Sequence, residues 1–207
     1  AITTNVTSFY REKHHFEFLE RRLFPELILK QKHAIRPRLR IWSAGCSSGR
    51  EPYTIAMVLK ESIPNLHRWD VKILATDLDS NILKIARKGV YSIDQLDEIP
   101  QQSQQKWLKI GYGSNEGAFK ICDEVMKMIS FRELNLLSSW PMQGLFDFIF
   151  CRNVTIYFDA DNRINVVNRF ADQLVEDGYL FVGHSESLFG LTHRFQPVGR
   201  TIHKKIT

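Results

Sequence analysis

The stretch LRIWSAGCSSGREPY, Leu39 to Tyr53, decides how this chain folds. It opens on an apolar run in which Leu39, Ile41 and Trp42 suit a buried strand, Leu39–Ser43. Small residues then continue to Gly49, and their lack of bulk lets the backbone come close to a ligand. Pro52 fits the first turn of a helix, Pro52–Glu61, where a missing N–H costs nothing. Strand, small-residue loop and helix in that order build nucleotide-type pockets in α/β proteins.

The pattern repeats on the C-terminal side. Val71–Thr76 is a second strand ending at Asp77, and Ser80 or Asn81 caps a helix that runs to Lys88, with Gly89 as its C′ residue. Met128–Leu134, Phe146–Cys151 and Tyr179–Gly183 are further strands. FDFIFC at 146–151 is apolar throughout, as a central parallel strand buried on both faces should be. A helix starting at Asp159 carries Ile164, Val167, Phe170 and Leu174 on one face. Phe195–Val198 and Thr201–Lys205, about a turn at Gly199-Arg200, make a terminal antiparallel hairpin. Between the second and third strands, residues 91–109 suggest short helices, and Trp107–Ile110 with Phe119–Cys122 a β-hairpin standing out of the main sheet. On the N-terminal side, Phe9–Phe24 reads as a helix capped by Thr7 or Ser8, Pro25 interrupts or restarts it, and residues 30–40 form a basic connector. The alternation predicts a doubly wound α/β domain with its ligand crevice at the carboxyl ends of the strands. The strand-end residues are Ser43 to Gly49, Asp77, Asn135 and Arg152-Asn153.

Composition narrows the classes. At 207 residues and 43% apolar, the chain suits one domain with a sizeable core. No run approaches the roughly 20 apolar residues of a membrane span. The start, AITTNVTSFYREK, has no signal-peptide core. Cys46, Cys122 and Cys151 are widely spaced with no CxxC, which argues for a reducing interior and against a disulfide frame or zinc site. Residues 1–40 hold nine Lys/Arg and four Asp/Glu, the whole of the net charge of +5. That excess suits either an acidic partner or a solvated helix face.

At the strand ends, an acid such as Asp77 typically accepts from ribose hydroxyls, though it also precedes a helix as a cap would. The loop is not GxGxxG, having Gly45 and Gly49 alone, and Glu51 stands at the helix entrance. A carboxylate there repels phosphate and welcomes a cation, which favours a positively charged nucleoside such as S-adenosylmethionine over NAD or ATP; a cap favoured by the helix dipole is the other reading. Arg152, at the mouth of so apolar a strand, calls for a carboxylate, whether Asp147, Asp159 or one on a ligand. Tyr157 reads as packing. His14, His15 and His184 lack metal-ligand spacing and read as hydrogen-bonders, so no metal is expected.

TNVTSFYRE, IWSAGCSSGREPYTIA, LATDLD, NLL, FIFCRNVTIYFD and DGYLFVGHSES resemble the CheR-type chemotaxis receptor methyltransferases, in order and over nearly the whole chain. The resemblance implies a Rossmann-like methyltransferase sheet with a terminal antiparallel hairpin and a small inserted β-subdomain. It implies S-adenosyl-L-methionine as cofactor, S-adenosyl-L-homocysteine as product, and methyl esters formed on receptor glutamates. Cofactor contacts carry over to Asn5, Thr7, Arg11, Gly45, Glu51, Asp77, Asn135, Leu136, Arg152 and Asn153, with Tyr157 near the transferred methyl and Arg11 steering the glutamate. Residues 1–38 are then a helical segment contributing to the cofactor site and 39–207 the methyltransferase domain, its hairpin subdomain at about 107–128 docking the receptor. The implied partner is the cytoplasmic helical domain of a receptor, with no nucleic acid and no membrane insertion, for a cytoplasmic monomer. Another protein or a nucleic acid as methyl acceptor, and a non-catalytic cofactor-binding regulator, remain alternatives. Two positions depart from the family: Arg50 stands where an acid is common and Thr155 where Leu or Met is common. Family members usually carry a helical N-terminal domain, and this chain begins almost at the TNVT motif.

Overall fold

A computed structural model describes residues 7–207. In chain order the helices and strands are α1 (Lys13–Phe18), α2 (Phe24–Lys30), β1 (Arg38–Ala44), α3 (Arg50–Ser62), β2 (Asp70–Asp77) and α4 (Ser80–Lys88). Then come β3 (Val90–Ser92), α5 (Gln101–Trp107), β4 (Leu108–Ile110), β5 (Ala118–Ile121), α6 (Asp123–Met126) and β6 (Ile129–Glu133). The chain closes with β7 (Phe146–Cys151), α7 (Ala160–Gln173), β8 (Leu174–Val182), β9 (Phe195–Gly199) and β10 (Ile202–Lys205).

Seven strands form one sheet in the order β6-β2-β1-β7-β8-β10-β9. The first five are parallel, and β10 pairs antiparallel with both β8 and β9. Strand order reverses between β1 and β7, so the crevice of a doubly wound sheet opens there. Alternation along the strands feeds two cores. Leu39 and Ile41 of β1 and Phe148 and Phe150 of β7 pack with α1–α3, while Trp42, Ala44, Ile149 and Cys151 pack with Val166, Val167 and Phe170 of α7. A strand with helices on both faces has no polar side to show, which is why FDFIFC is apolar throughout.

Several local expectations are corrected. The first helix begins at Lys13, not Phe9, because Tyr10 (φ 51°) and Glu12 (φ 60°) are left-handed. Neither Thr7 nor Ser8 caps it: Glu12 stands at its N-terminus and gives no side-chain cap. Pro25 does not stop the helix. Residues Leu19–Leu23 form a π-helical turn between α1 and α2, with Phe24 N–H bonded to Leu19 C=O, and the wider turn gives the proline ring room where an α-helical carbonyl would collide with it. Leu174 begins a strand instead of closing α7, since β8 starts five residues before Tyr179 and passes through Asp177 at φ 62°.

The small sheet has three strands, β3-β5-β4, where a hairpin of two was expected. Val90–Ser92 is too short to show a period. The small sheet is separate from the main sheet, as expected, but packs against its core: Tyr91 and Phe119 are 5% and 1% exposed and belong to the main core. The Phe9 ring meets Tyr91 edge-on at 5.0 Å, and Tyr91 OH donates to Ser48 C=O at 2.6 Å.

Candidate functional site

Register puts the strand ends side by side. Ala44 pairs with Thr76, Ser43 with Phe150, and Asp77 with Glu133, so the turns after β1, β2, β6 and β7 emerge along one edge of the sheet.

The turn after β1 is built by backbone. Gly45 N–H and Cys46 N–H both donate to Thr76 C=O, at 2.8 and 2.9 Å. Gly45 (φ 80°), Ser47 (φ 49°) and Gly49 (φ 88°) take left-handed conformations. A Cβ on Gly45 would stand 2.3 Å from Val154 Cγ2, so this glycine is required by close approach as well as by φ. Asp77 accepts from Ser47 N–H (2.7 Å) on one oxygen and from Asp79 N–H (3.0 Å) on the other. Each carboxylate oxygen has two lone pairs, so capacity remains for ligand hydroxyls. Asp79, two residues later, is the cap of α4 in place of Ser80 or Asn81, accepting from Asn81 and Ile82 N–H. Among the described residues the buried Ser47 Oγ has no hydrogen-bond partner. A turn with an orphan hydroxyl, an acid with spare acceptors and no Cβ at Gly45 fits a nucleoside carrying hydroxyls.

Glu51 and Arg152 are each other's partner. Arg152 Nε donates to Glu51 Oε2 at 2.6 Å, Ser43 Oγ donates to Glu51 Oε1 at 2.7 Å, and the two charged side chains are 3% and 8% exposed. The carboxylate sought for Arg152 is therefore neither Asp147 nor Asp159. Asp147 accepts from Arg40 N–H (2.7 Å) and Asp159 caps α7 through Asn162 N–H (2.8 Å). Arg152 also reaches the N-terminal segment: Nη1 donates to Arg11 C=O and lies 3.7 Å from Glu12 Oε2 and 3.5 Å from His15 Nδ1, while Phe16 and Phe150 flank the guanidinium. Glu51 thus meets a positive charge belonging to the protein itself.

The histidines are hydrogen-bonders brought together by folding. His14 Nε2 and His15 Nε2 stand 3.1 and 2.8 Å from Thr201 Oγ1, whose own proton goes to Arg200 C=O at 2.6 Å. Both imidazoles must then donate through Nε2, which leaves the Nδ1 of each unprotonated. Burial and the nearby Arg152 charge push His15 down to about 2, and burial lowers His14. Glu12, His14 and His15 place ligand-capable atoms within 4.8 Å of one another, and His184 Nδ1 lies 2.8 Å from Glu12. The Arg152 guanidinium already faces the donors of Glu12 and His15, so the cluster is offered a cation by the chain.

Of the remaining expected residues, Asn135 Oδ1 accepts from Leu137 N–H (2.9 Å), and the buried Leu136 gives its carbonyl to Trp140 Nε1 and Arg169 Nη1 at 3.1 and 3.0 Å. Asn153 is left-handed at φ 60°, and Tyr157, in a 3-10 turn, is 57% exposed. Thr7 C=O accepts from Arg50, whose guanidinium lies over the Phe9 and Tyr91 rings at 6.0 and 5.8 Å. Arg11 lends its carbonyl to Arg152. Asn5 lies outside the described residues. Cys46 and Cys151 are buried thiols pushed well up by desolvation, and so are poor nucleophiles.

Two participants escaped the sequence reading, Glu12 and Glu186, while Ser43 was placed at the strand end but not as a donor to Glu51. Glu186, 5% exposed, gathers five donors from Gly183 and residues 153–155. Only its presence in the HSES stretch marked it.

Over residues 5–204 the chain matches the family model for the CheR methyltransferase, SAM binding domain. It is 42% identical over 207 residues to a probable chemotaxis protein methyltransferase of Rhizobium etli, covering all of this chain and 76% of that protein. It is 45% identical over 193 residues to the chemotaxis protein methyltransferase of Borreliella burgdorferi, covering 91% and 66% of the two chains. With that of Escherichia coli it shares 39% identity over 207 residues, 98% of this chain and 68% of the relative. Among solved structures, the DszA carbon methyltransferase has the same type of fold, with a TM-score of 0.52 at 15% identity over 87% of this chain and 39% of that one. Among the described residues no helix is long and apolar enough to cross a membrane.

Proposed function

Because this chain belongs to the CheR methyltransferase family, whose S-adenosylmethionine-binding domain it carries, we propose that it methylates glutamate side chains of chemotaxis-type receptors, forming methyl esters. The acceptor is the cytoplasmic helical domain of the receptor, and the protein acts in the cytoplasm as a monomer. The observation that supports the reading is that the turns carrying Gly45, Asp77, Asn135-Leu136 and Arg152-Asn153 leave the sheet along one edge, on either side of the β1/β7 switch point.

The cofactor supplies an electrophilic methyl group on a cationic sulfur. Asn5, Thr7, Arg11, Gly45, Glu51, Asp77, Asn135, Leu136, Arg152 and Asn153 would hold it, with Asp77 taking ribose hydroxyls on its spare lone pairs. Glu51 contributes negative charge that Arg152 already balances, so the pair orders the floor of the site with little net field. A glutamate, with an ordinary pKa of about 4.3, is ionised at neutral pH and needs no base. The buried thiols and neutral His15 are therefore not needed as proton acceptors, and the work of the chain is to orient and to exclude water. Tyr157, exposed at the end of the 3-10 turn that follows Asn153, meets the incoming carboxylate or packs beside the methyl, and Arg11 steers the acid.

The test is transfer of label from methyl-labelled S-adenosylmethionine to receptor-bearing membranes, followed by release of the label as methanol in mild alkali, as an ester requires. Asp77→Ala should weaken cofactor binding at least tenfold, and Arg11→Ala and Tyr157→Phe should slow transfer. Wild-type rates in all three would overturn the site, and alkali-stable label would overturn the ester.

A further inference from the structure

We propose that Glu186 is a positioning residue for methyl transfer, setting the path of residues 152–157 across the mouth of the crevice. This rests on the functional reading above, since it requires Asn153 and Tyr157 to face the reacting groups.

The strands β7 and β8 end side by side, Cys151 against Val182. Gly183 therefore leaves the sheet next to Arg152, and Glu186 turns back into the gap, its own N–H bonded to Gly183 C=O at 2.9 Å. Its Oε2 accepts from Gly183 N–H and Asn153 N–H, both at 2.7 Å. Its Oε1 accepts from Val154 N–H (2.9 Å), Thr155 N–H (2.7 Å) and Thr155 Oγ1 (2.8 Å). Among the described residues Glu186 has no ion-pair partner, so these dipoles alone carry its buried charge. Asn153 is left-handed and Val154 right-handed (φ −118°, ψ −50°), the sequence of conformations in which consecutive N–H groups converge on an anion. The chain supplies that anion from a neighbouring strand end.

The approach leaves no room for a side chain at residue 183. A Cβ on Gly183 would stand 2.8 Å from Glu186 Oε2 and 2.9 Å from Asn153 Nδ2. What the carboxylate holds is continuous with Tyr157. Tyr157 N–H donates to Val154 C=O at 3.2 Å and Phe158 N–H to Thr155 C=O at 3.1 Å, so the 3-10 turn under Tyr157 is seated on two residues that Glu186 holds. Without the carboxylate, three adjacent buried or half-buried N–H groups would lack a shared acceptor, and the left-handed turn at Asn153 would have nothing to enforce it. The hydroxyl of Thr155 is part of the same device.

The full chain, methyl-labelled S-adenosylmethionine and receptor-bearing membranes provide the test. Glu186→Gln keeps the volume but turns one acceptor oxygen into a donor facing N–H groups. At saturating cofactor and receptor its kcat should fall ten- to a hundredfold, and that of Thr155→Val three- to tenfold. The double variant should lose less than the product of the two, since both act through one contact. Thermal melts run alongside: a purely structural role lowers Tm and leaves saturated kcat unchanged. If Glu186→Gln folds and its saturated kcat is within twofold of wild type, the inference is overturned. If it does not fold, Thr155→Val decides, and wild-type kcat there overturns the proposal equally. A wild-type protein that does not label the receptor at all would instead overturn the functional reading.

Discussion

Two turns leave adjacent strands at the switch point, and they are built in opposite ways. The turn after β1 is held by main chain and by the absence of side chains, with two N–H groups on Thr76 C=O and three left-handed residues at 45, 47 and 49. The turn after β7 is held by charge. Arg152 meets Glu51, Glu12 and the Arg11 carbonyl, and Glu186 binds the three residues that follow Arg152. The glycine turn draws its partners from the end of the neighbouring strand alone, Thr76 and Asp77 of β2. A turn made of ion pairs needs its partners delivered by the rest of the fold, so its conformation depends on α1, α3 and the end of β8 all being in place. The two also touch, since Val154 of the second fills the space that a Cβ on Gly45 of the first would occupy.

The largest expected effect of a single substitution lies in the charged turn. Arg152→Met leaves Glu51 and Glu12 buried without their cation and should cost about 3–5 kcal/mol in denaturant unfolding. Adding Glu51→Gln should recover part of that loss. A cost below about 1 kcal/mol would mean that the turn stands without its ion pairs.

Gly45→Ala comes next. The φ of 80° and the 2.3 Å approach to Val154 predict a loss of about 1–3 kcal/mol and weaker cofactor binding by calorimetry. Val154→Ala in the same chain removes the clashing methyl and should restore part of the stability, leaving the φ strain. Full additivity of the two would show the turns to be independent.

Acid should lower the stability of the fold through the histidine that faces the charged turn. His15 is held at about 2 in the fold by burial and by Arg152, far below its ordinary 6.5. As pH falls through 6.5 the unfolded chain takes up a proton that folded His15 refuses. Stability present above 6.5 is therefore lost between 6.5 and 2, with a limiting slope of about 1.4 kcal/mol per pH unit from this group. Unfolding curves of wild type and His15→Gln at several pH values check this, the variant showing a flatter dependence. Smallest is Thr155→Val, which removes one hydroxyl from Glu186 and should cost about 1–1.5 kcal/mol in the same unfolding measurement.

The same contrast sets what could be read in advance. The strands, the doubly wound order and the residues Gly45, Asp77, Asn135 and Arg152 at the strand ends follow from apolar runs, glycines and caps that act within a few positions. Errors arose where a short segment answered to the fold instead of to its own pattern. Val90–Ser92 became a strand because Phe119 and Tyr91 share the main core, and Pro25 was absorbed because a π turn adjusted the helix ahead of it.

From the amino acids alone came the architecture and which residues stand at the strand ends, because hydrogen-bond periodicity, burial alternation and backbone φ are short-range. Tertiary structure alone decided the use of charge: that Arg152 is answered by Glu51 at a separation of 101 residues, that His15 is kept neutral, and that Glu186 reaches back 31 to 33 residues to residues 153–155. Electrostatic partners are chosen by distance in space and by shared desolvation, and neither quantity exists until the chain has folded.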